Sequence, residues 1–379
     1  MKIILYCGIL LAAGMPSALR AGNPGESSLD KNALASFPRL RGFDVRYDAD
    51  EAVMADVEKL GANEIRLMLQ PNLAGSSDTV AKWQEMLDRL PSQLDAARKH
   101  HLYVIVSLFA PPIANYKVLA KDPKAFGHTF WMDPKYCDAM IAQAVEVAKL
   151  LKPYEGMVWL ELKNEPLDWN DFPNIPRFWP EWSQKIVDAV RAVSDTPLVI
   201  QVGPGGLCGG FASFPKLSGK NLVYSVHNYQ PHAYTHQGVK QLVGTDLKNA
   251  YDKTGVGWPG TFSDGTGGVW DKQRLREELA PAVEFAKKNG ARIYVGEFSV
   301  ARWAPNAEDY LRDNIDLYEE FGWDWTYHAF RESPIWSLEH DENYTDVKLA
   351  QRAQGETARG KVIREALAKN QDTAAKPKQ

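Results

Sequence analysis

The feature that most constrains the fold is a repeated alternation of short apolar runs with longer amphipathic runs. Eight runs read as strands and are rich in Val, Ile and Leu. Segments with helical periodicity separate nearly all of them. Strands that are apolar along their whole length are typical of a parallel sheet covered on both faces. Eight strand-then-helix repeats therefore predict an α/β fold of the (β/α)8 TIM barrel type.

The alternative is a doubly wound open sheet. No GxGxxG pattern follows the first strand-like run, "RLRGFDV", as a dinucleotide-binding sheet of that kind would require. No linker-like break interrupts the repeats, so we expect one catalytic domain over residues 22–370 and a disordered tail over residues 371–379. One helical run, "TVAKWQEMLDRLPSQLDAARKHH", contains Pro91, and a break in the helix is expected near it.

The N-terminal stretch "MKIILYCGILLAAGMPSALRAG" resembles a secretory signal. One Lys precedes an apolar stretch from Ile3 to Ala13, and small residues follow. We expect cleavage after Ala21, which would remove residues 1–21. This places Leu19 three residues before the cut, where a small residue is usual. The alternative is that the stretch forms a buried N-terminal helix. We expect a secreted or periplasmic protein. No other apolar run approaches the roughly 20 residues that a membrane-spanning helix needs, so no membrane span is predicted.

Composition narrows the possible partners. The chain has 379 residues and a net charge of −4, which gives no basic footprint for nucleic acid. Twelve Trp and fifteen Tyr supply aromatic faces that suit carbohydrate, although many must belong to the core. Of three Cys, Cys7 lies in the signal, and Cys137 and Cys208 are expected to be unpaired core thiols. No CxxC or HExxH occurs, so no metal site is predicted. We expect a monomer.

Polar and aromatic side chains mark the carboxyl ends of the predicted strands, where active sites of such barrels lie. They are Arg66 on strand two, Asn164 and Glu165 after strand four, His227 and Tyr229 after strand six, Glu297 on strand seven, and Trp325 and His328 on strand eight. Two carboxylates would face each other across one mouth. Glycoside hydrolysis needs such a pair, one to protonate the leaving oxygen and one to attack the anomeric carbon or activate water.

The motifs "LKNEP", "VHNYQPH" and "YVGEFSV", together with Arg66 in "NEIRLML", resemble glycoside hydrolase family 5 over nearly the whole mature chain. This cellulase-like family belongs to the clan of barrels with catalytic glutamates on strands four and seven. The resemblance implies a retaining enzyme without a cofactor, with Glu165 as the acid/base and Glu297 as the nucleophile. It further implies that Asn164 binds the sugar 2-hydroxyl, that Arg66 and Tyr229 contact the nucleophile, and that His227 supports Glu165.

The sequence departs from the family pattern at two strand ends. Phe109 stands where the third strand usually offers a His, and His328 stands where the eighth strand usually offers a Trp. Trp325, Trp303 and Trp336 are the candidates by sequence to supply a stacking surface instead. We therefore expect a rebuilt subsite for the cleaved sugar and a preference that differs from plain cellulose.

Alternatives remain within and beyond this chemistry. A carbohydrate-binding barrel with weak or no turnover is disfavoured by the presence of both glutamates. A retaining β-mannanase or an exo-acting glycosidase of the same clan stays open. A barrel enzyme of another class would want a Schiff-base Lys, and Lys163 is predicted to point away from the mouth because strand side chains alternate. His232 and His236 are interpreted as residues of a solvated loop.

Overall fold

The computed structural model describes residues 33–71, 78–113, 123–239, 255–262, 268–343 and 350–371, with the backbone alone at residues 123–126. The predicted signal, residues 1–21, lies outside the described residues. So does the predicted tail apart from its first residue, Gln371. Residues Asn32–Gln379 form one compact unit.

Eight parallel strands close into a barrel in which each strand pairs with its neighbours in chain order. The strands are β1 Arg41–Arg46, β2 Glu64–Leu69, β3 Tyr103–Leu108, β4 Val158–Glu161, β5 Leu198–Gln201, β6 Leu222–Asn228, β7 Arg292–Phe298 and β8 Asp324–Tyr327. The seam between β8 and β1 is parallel as well, with Arg41 opposite Trp325. The predicted (β/α)8 barrel is confirmed, and all carboxyl ends of the strands meet at one mouth.

Helices follow the strands along the described chain. They are α1 Glu51–Lys59, α2 Thr79–Lys99, α3 Pro123–Met132, α4 Pro134–Leu151, α5 Trp179–Arg191, α6 His232–Thr235, α7 Lys272–Asn289, α8 Ala307–Phe321 and α9 Ala358–Leu367. Asp50 and Asp271 illustrate how the longer ones begin, because each side chain accepts a backbone N–H of the first turn. None of the helices in the described ranges combines the length and apolar character needed to cross a bilayer.

Helix α2 differs from its prediction, because it continues through Pro91 without a break. Its inner side buries Leu90 and Leu94 on either side of the proline. This packing against the barrel holds the helix together where one backbone hydrogen bond is lost. The Pro91 carbonyl accepts a hydrogen bond from Tyr154 at 3.2 Å.

The core fills the space between the strands and the surrounding helices. One continuous cluster of buried apolar side chains runs from Leu34 to Leu367. Cys137 and Cys208 both lie in it as free thiols, as predicted. Burial raises the pKa of the Cys208 thiol to about 12, so this cysteine is inert packing at neutral pH.

Candidate active site

Arg66 lies buried at the centre of the barrel mouth, and its guanidinium uses all of its donors. It donates to Glu161 Oε2 at 2.7 Å, Asp44 Oδ1 at 2.8 Å, Glu297 Oε1 at 2.8 Å, Ser107 Oγ at 2.9 Å and Asn164 Oδ1 at 2.6 Å. Burial opposes the positive charge, but Glu161, Asp44 and Glu297 outweigh it and raise the Arg66 pKa well above its ordinary value. Arg66 is therefore a fixed cation that orients five residues from four strands or their ends.

Glu297, the predicted nucleophile, is nearly buried and held by donors on both oxygens. Arg66 donates to Oε1, and the Tyr229 hydroxyl donates to Oε2 at 2.9 Å. Burial favours the neutral acid, but His227, His328 and Arg66 outweigh it and lower the Glu297 pKa to about 2. The carboxylate is therefore ionised at neutral pH and fixed in direction, as an attacking group requires.

The local backbone around Glu297 is irregular where the site needs it. The register between β6 and β7 shifts after Val226, so that Glu297 comes to lie opposite His227. Bulges of this kind re-aim side chains near active sites. Gly296 is required here, because a Cβ at that position would stand 2.8 Å from the His227 ring.

Glu165, the predicted acid/base, follows β4 in a left-handed backbone conformation with φ of 46°. Non-glycine residues adopt this region rarely, and functional sites are one place where it persists. The backbone N–H of Glu165 donates to the Gln201 side chain. Its carboxylate, 41% exposed, lies 2.9 Å from His227 Nδ1. The carboxyl group of Glu165 thus contacts a buried imidazole on one side and is exposed on the other.

The two glutamates lie close together. Glu165, His227 and Glu297 each bring one atom of metal-ligand type to within 4.8 Å of the others, and so do Asp44, Glu297 and His328. The Arg66 guanidinium already donates to Glu297 and Asp44, so a fixed positive charge satisfies this anionic cluster. We assign no metal to either group.

Asn164 lies beside this pair. Its side-chain oxygen is pinned by Arg66 at 2.6 Å, and its backbone N–H donates to Leu108 O at 2.7 Å. The amide nitrogen is therefore the end of the side chain that can serve a ligand.

Lys163 does not join the carboxylates. Its Nζ donates to the Asn164 carbonyl at 2.8 Å, and burial lowers its pKa to about 8.

His328 lies at the mouth after β8, among acidic groups. Its Nδ1 stands 3.4 Å from Asp44 Oδ2 and 3.8 Å from Glu297 Oε2, and its Nε2 stands 3.1 Å from Glu332 Oε2. The sequence prediction included His328 but neither Asp44 nor Glu332. Phe109 follows β3 directly and is half-buried.

Of the three proposed stacking tryptophans, Trp336 lies beside the site and Trp303 packs in the same small cluster. The Trp336 ring is 6.2 Å from the Tyr229 ring and 6.4 Å from His328, centre to centre. Trp303 packs with Trp336 around a small cluster of Val239, Ala301 and Ile335. Its indole N–H donates to Gln237 O at 2.7 Å. Both rings are partly exposed, and Trp336 is the one in contact with the site.

Trp325 lies elsewhere, and this corrects the prediction that it binds substrate. It is fully buried, it packs edge-on against Phe298, and its indole N–H donates to Glu319 on α8 at 3.0 Å. Strand side chains alternate, so a residue three positions before His328 faces the helices when His328 faces the barrel mouth. Trp325 is therefore a core residue that a sugar cannot reach.

The interpretation of His232 and His236 as solvated loop residues is also wrong. His232 begins the short helix α6, and His236 follows its end. The His236 ring lies 5.2 Å from Tyr229 and 4.9 Å from Trp336, centre to centre. Burial, His232 and His328 lower the His236 pKa well below its ordinary value. The rings of Tyr229, His232, His236 and Trp336 thus form an aromatic wall beside the proposed nucleophile.

The arrangement defines a class of protein, the barrel-shaped glycoside hydrolases, in which two carboxyl groups flank the scissile bond. Comparison with known proteins gives the family. The model of the cellulase family, glycosyl hydrolase family 5, matches residues 30–332. The chain belongs to this family and is an O-glycosyl hydrolase.

Individual relatives are distant. Endoglucanase C of Acetivibrio thermocellus is 23% identical over 293 residues, which span 70% of this chain and 79% of that protein. Cel5A of Thermotoga maritima with cellobiose superposes with a TM-score of 0.65 at 18% identity, covering 89% of this chain and 100% of the other. Its structure with mannotriose gives 0.61 at 19% identity, covering 89% and 98%. At such identities the structural likeness shows the shared fold.

Proposed function

We propose that this protein is an exported, retaining glycoside hydrolase that cleaves β-linked glucans or closely related polysaccharides. The observation that carries the proposal is the closeness of Glu165 and Glu297, whose nearest ligand-type oxygens lie within 4.8 Å of each other and of the shared His227. Retaining enzymes hold their carboxyl groups about 5–5.5 Å apart, whereas inverting enzymes need about 6.5–9.5 Å to admit a water.

The reaction would proceed by double displacement. Glu297, ionised and aimed by Arg66 and Tyr229, attacks the anomeric carbon, while the Glu165 carboxyl protonates the departing glycosidic oxygen. A covalent glycosyl-enzyme forms. Glu165, now a carboxylate, takes a proton from the water that attacks the same carbon, and Glu297 is released. The amide nitrogen of Asn164 is placed to donate to the sugar 2-hydroxyl.

The glycan preference follows from the two departures from the family pattern. Phe109 stands in place of a His and cannot donate a hydrogen bond to a sugar hydroxyl. His328 stands in place of a Trp and offers a smaller ring for a sugar to stack on. A buried hydroxyl that loses its partner costs about 1–3 kcal/mol, or roughly ten- to a hundredfold in rate. Trp336 would supply stacking from the side of Tyr229. We therefore expect a mixed-linkage or substituted β-glycan to be a better substrate than carboxymethylcellulose.

Export rests on the N-terminal sequence. The pattern of residues 1–21 favours a secreted or periplasmic protein that acts on carbohydrate outside the cytoplasm. Purification of the mature chain from the culture medium or periplasm, with N-terminal sequencing, would test cleavage after Ala21. A chain that keeps Met1 would contradict it.

The main test is a hydrolysis assay on a panel of polysaccharides and oligosaccharides, followed by proton NMR of the first-formed product. We expect a β-glycan to be cleaved with an initial β-anomer, and a 2-fluoro glycoside to label Glu297. An initial α-anomer from a β-substrate would overturn retention. No turnover on any β-glycan of the panel would contradict the activity itself.

A further inference from the structure

We propose that His328 is an imidazolium held between two acids, and that its charge assists departure of the Glu297 carboxylate in the second step. This inference rests on the proposed role of Glu297 as nucleophile. It gives a role to His328, which stands where the family pattern usually has a Trp. Glu332, four positions along the chain, acts through it as a positioning residue.

The first support is the number of acidic groups that His328 faces. Nε2 lies 3.1 Å from Glu332 Oε2, and Nδ1 lies 3.4 Å from Asp44 Oδ2. A neutral imidazole carries a single N–H, so one of these oxygens would face a ring lone pair. Only the imidazolium offers an N–H to both. With both carboxylates ionised, these contacts favour the charged form of the ring.

The second support is the burial of the atoms involved. Asp44 is fully buried, and neither its Oδ2 nor His328 Nδ1 has a hydrogen-bond partner within the described part of the chain. A buried carboxylate oxygen without a donor is costly. Each atom is thus the available partner of the other. A proton on Nδ1 serves the Asp44 carboxylate, and a proton on Nε2 serves Glu332.

Three elements each bring an acidic group to His328, and Arg66, which donates to Asp44 and Glu297, is a nearby cation. Asp44 on β1, Glu297 on β7 and Glu332 after β8 are acidic. Tyr229, whose ring centre is 6.4 Å away, is a hydroxyl that donates to Glu297. His236 lies on the aromatic wall, and His328 contributes to lowering its pKa. Burial disfavours the charge, but Glu297, Asp44 and Glu332 outweigh it and raise the His328 pKa well above its ordinary value.

The chemical consequence concerns the second displacement. The bond between the anomeric carbon and Glu297 breaks, its electron pair returns to the Glu297 oxygen, and the attacking water loses a proton to Glu165. Negative charge thus grows on Oε of Glu297, 3.8 Å from His328 Nδ1. A fixed cation at that distance stabilises the leaving carboxylate without reorganisation. Loss of the His328 proton removes this help and weakens the hold on Asp44, which positions Arg66.

The test uses an activated substrate, 2,4-dinitrophenyl β-cellobioside, whose leaving group needs no proton. On it, an alkaline fall in kcat cannot report Glu165 as an acid, because the second step needs Glu165 deprotonated. We expect Glu332→Gln to shift this fall to lower pH by about 1 unit or more, since an opposite charge at this distance raises a His pKa. We expect His328→Gln to lower kcat and to remove this alkaline fall, the alkaline limb of the pH profile.

Glu339→Gln is the matched control. Glu339 lies on the same segment, its side chain is 28% exposed against 27% for Glu332, and it pairs with Arg331 rather than with the site. It should leave the limb where wild type has it. An unmoved limb in Glu332→Gln would overturn the proposal. A limb that moves equally in both glutamine variants would do so too, because the effect would then be general.

A second readout does not depend on turnover. In protein labelled with nitrogen-15, the His328 ring, assigned by its loss in His328→Gln, should show both nitrogens protonated near neutral pH. A neutral His328 ring there would overturn the inference even if Glu297 is labelled by the 2-fluoro glycoside. Absence of that label with a protonated His328 would instead contradict the proposed function and leave the ion pair standing.

Discussion

Arg66 donates from Nη1 to Glu297 Oε1 over 2.8 Å, although 231 positions of sequence separate the two residues. The same nitrogen also donates to Asp44 at 2.8 Å. One guanidinium therefore fixes the proposed nucleophile to the first strand of the barrel. This arrangement keeps the attacking oxygen in place while the sugar moves towards it.

Glu297→Gln should reduce turnover by several orders of magnitude, because an amide cannot attack and later leave as a carboxylate does. The glutamine is nearly the same size and can still accept a hydrogen bond from Arg66, so the fold should persist. Steady-state kinetics on the best glycan of the panel, with circular dichroism of the same sample, make the measurement. Activity close to wild type in Glu297→Gln would exclude Glu297 as nucleophile.

Arg66→Lys should damage both activity and stability. An ammonium is a compact charge with three donors and cannot reproduce a planar fork that serves five acceptors. Three buried carboxylates would lose part of their partner, and breaking buried pairs costs about 3–5 kcal/mol. Urea unfolding should show a lower midpoint. Arg46→Lys, at an exposed pair with Asp48, is the control and should leave the midpoint almost unchanged.

Glu165→Ala should matter least when the leaving group needs no proton. The variant should hydrolyse an activated aryl glycoside far better than a natural oligosaccharide, and added azide should accelerate it by attacking the exposed glycosyl-enzyme. Product analysis should reveal a β-glycosyl azide. Equal losses on both substrates without azide rescue would count against Glu165 as the acid/base.

The fold could be predicted from sequence because its signal is local. Each strand and helix of the barrel shows its own hydrophobic periodicity in the sequence, and eight strand-then-helix repeats are compatible with few folds. Glu165 and Glu297 could be named as candidates from the sequence, because polar residues at the ends of apolar strands stand out. Asp44 and Glu161 could not be named in this way, because Asp44 lies inside β1 and Glu161, the last residue of β4, stands between two leucines in the sequence. Each is explained only as a partner of Arg66.

The aromatic wall is the part of the site that could not be predicted from the sequence. Trp325 could have been excluded from the site by alternation along β8, the same rule that was applied to Lys163. No such rule applies to His236 and Trp336, which lie outside the strands and meet through a loop. Their rings are 4.9 Å apart, although 100 positions separate them. Contacts between loops depend on how each loop folds back over the mouth, which local patterns do not encode.

Stability should depend on pH through His328. Its folded-state pKa is raised well above the ordinary value of 6.5, with burial opposing and Glu297, Asp44 and Glu332 raising it. The contribution is fully present below pH 6.5 and is lost as pH rises, because the unfolded chain releases the proton first. Urea unfolding at about pH 6 and about pH 9 should show a smaller alkaline decrease in His328→Gln than in wild type. Equal decreases would contradict the raised pKa.

The last prediction separates two tryptophans that look alike in sequence. Trp336→Ala removes a partly exposed ring beside Tyr229, so it should lower kcat/KM on the best glycan by about tenfold, mainly through KM, and leave unfolding nearly unchanged. Trp325→Ala removes a fully buried ring packed on Phe298. It should cost about 3–5 kcal/mol in the free energy of unfolding, while the folded fraction keeps its KM. If Trp325→Ala fails to fold, Trp325→Phe retains an aromatic ring and reports the same KM. A raised KM in the folded Trp325 variant, with Trp336→Ala silent, would reverse the assignment of the two rings.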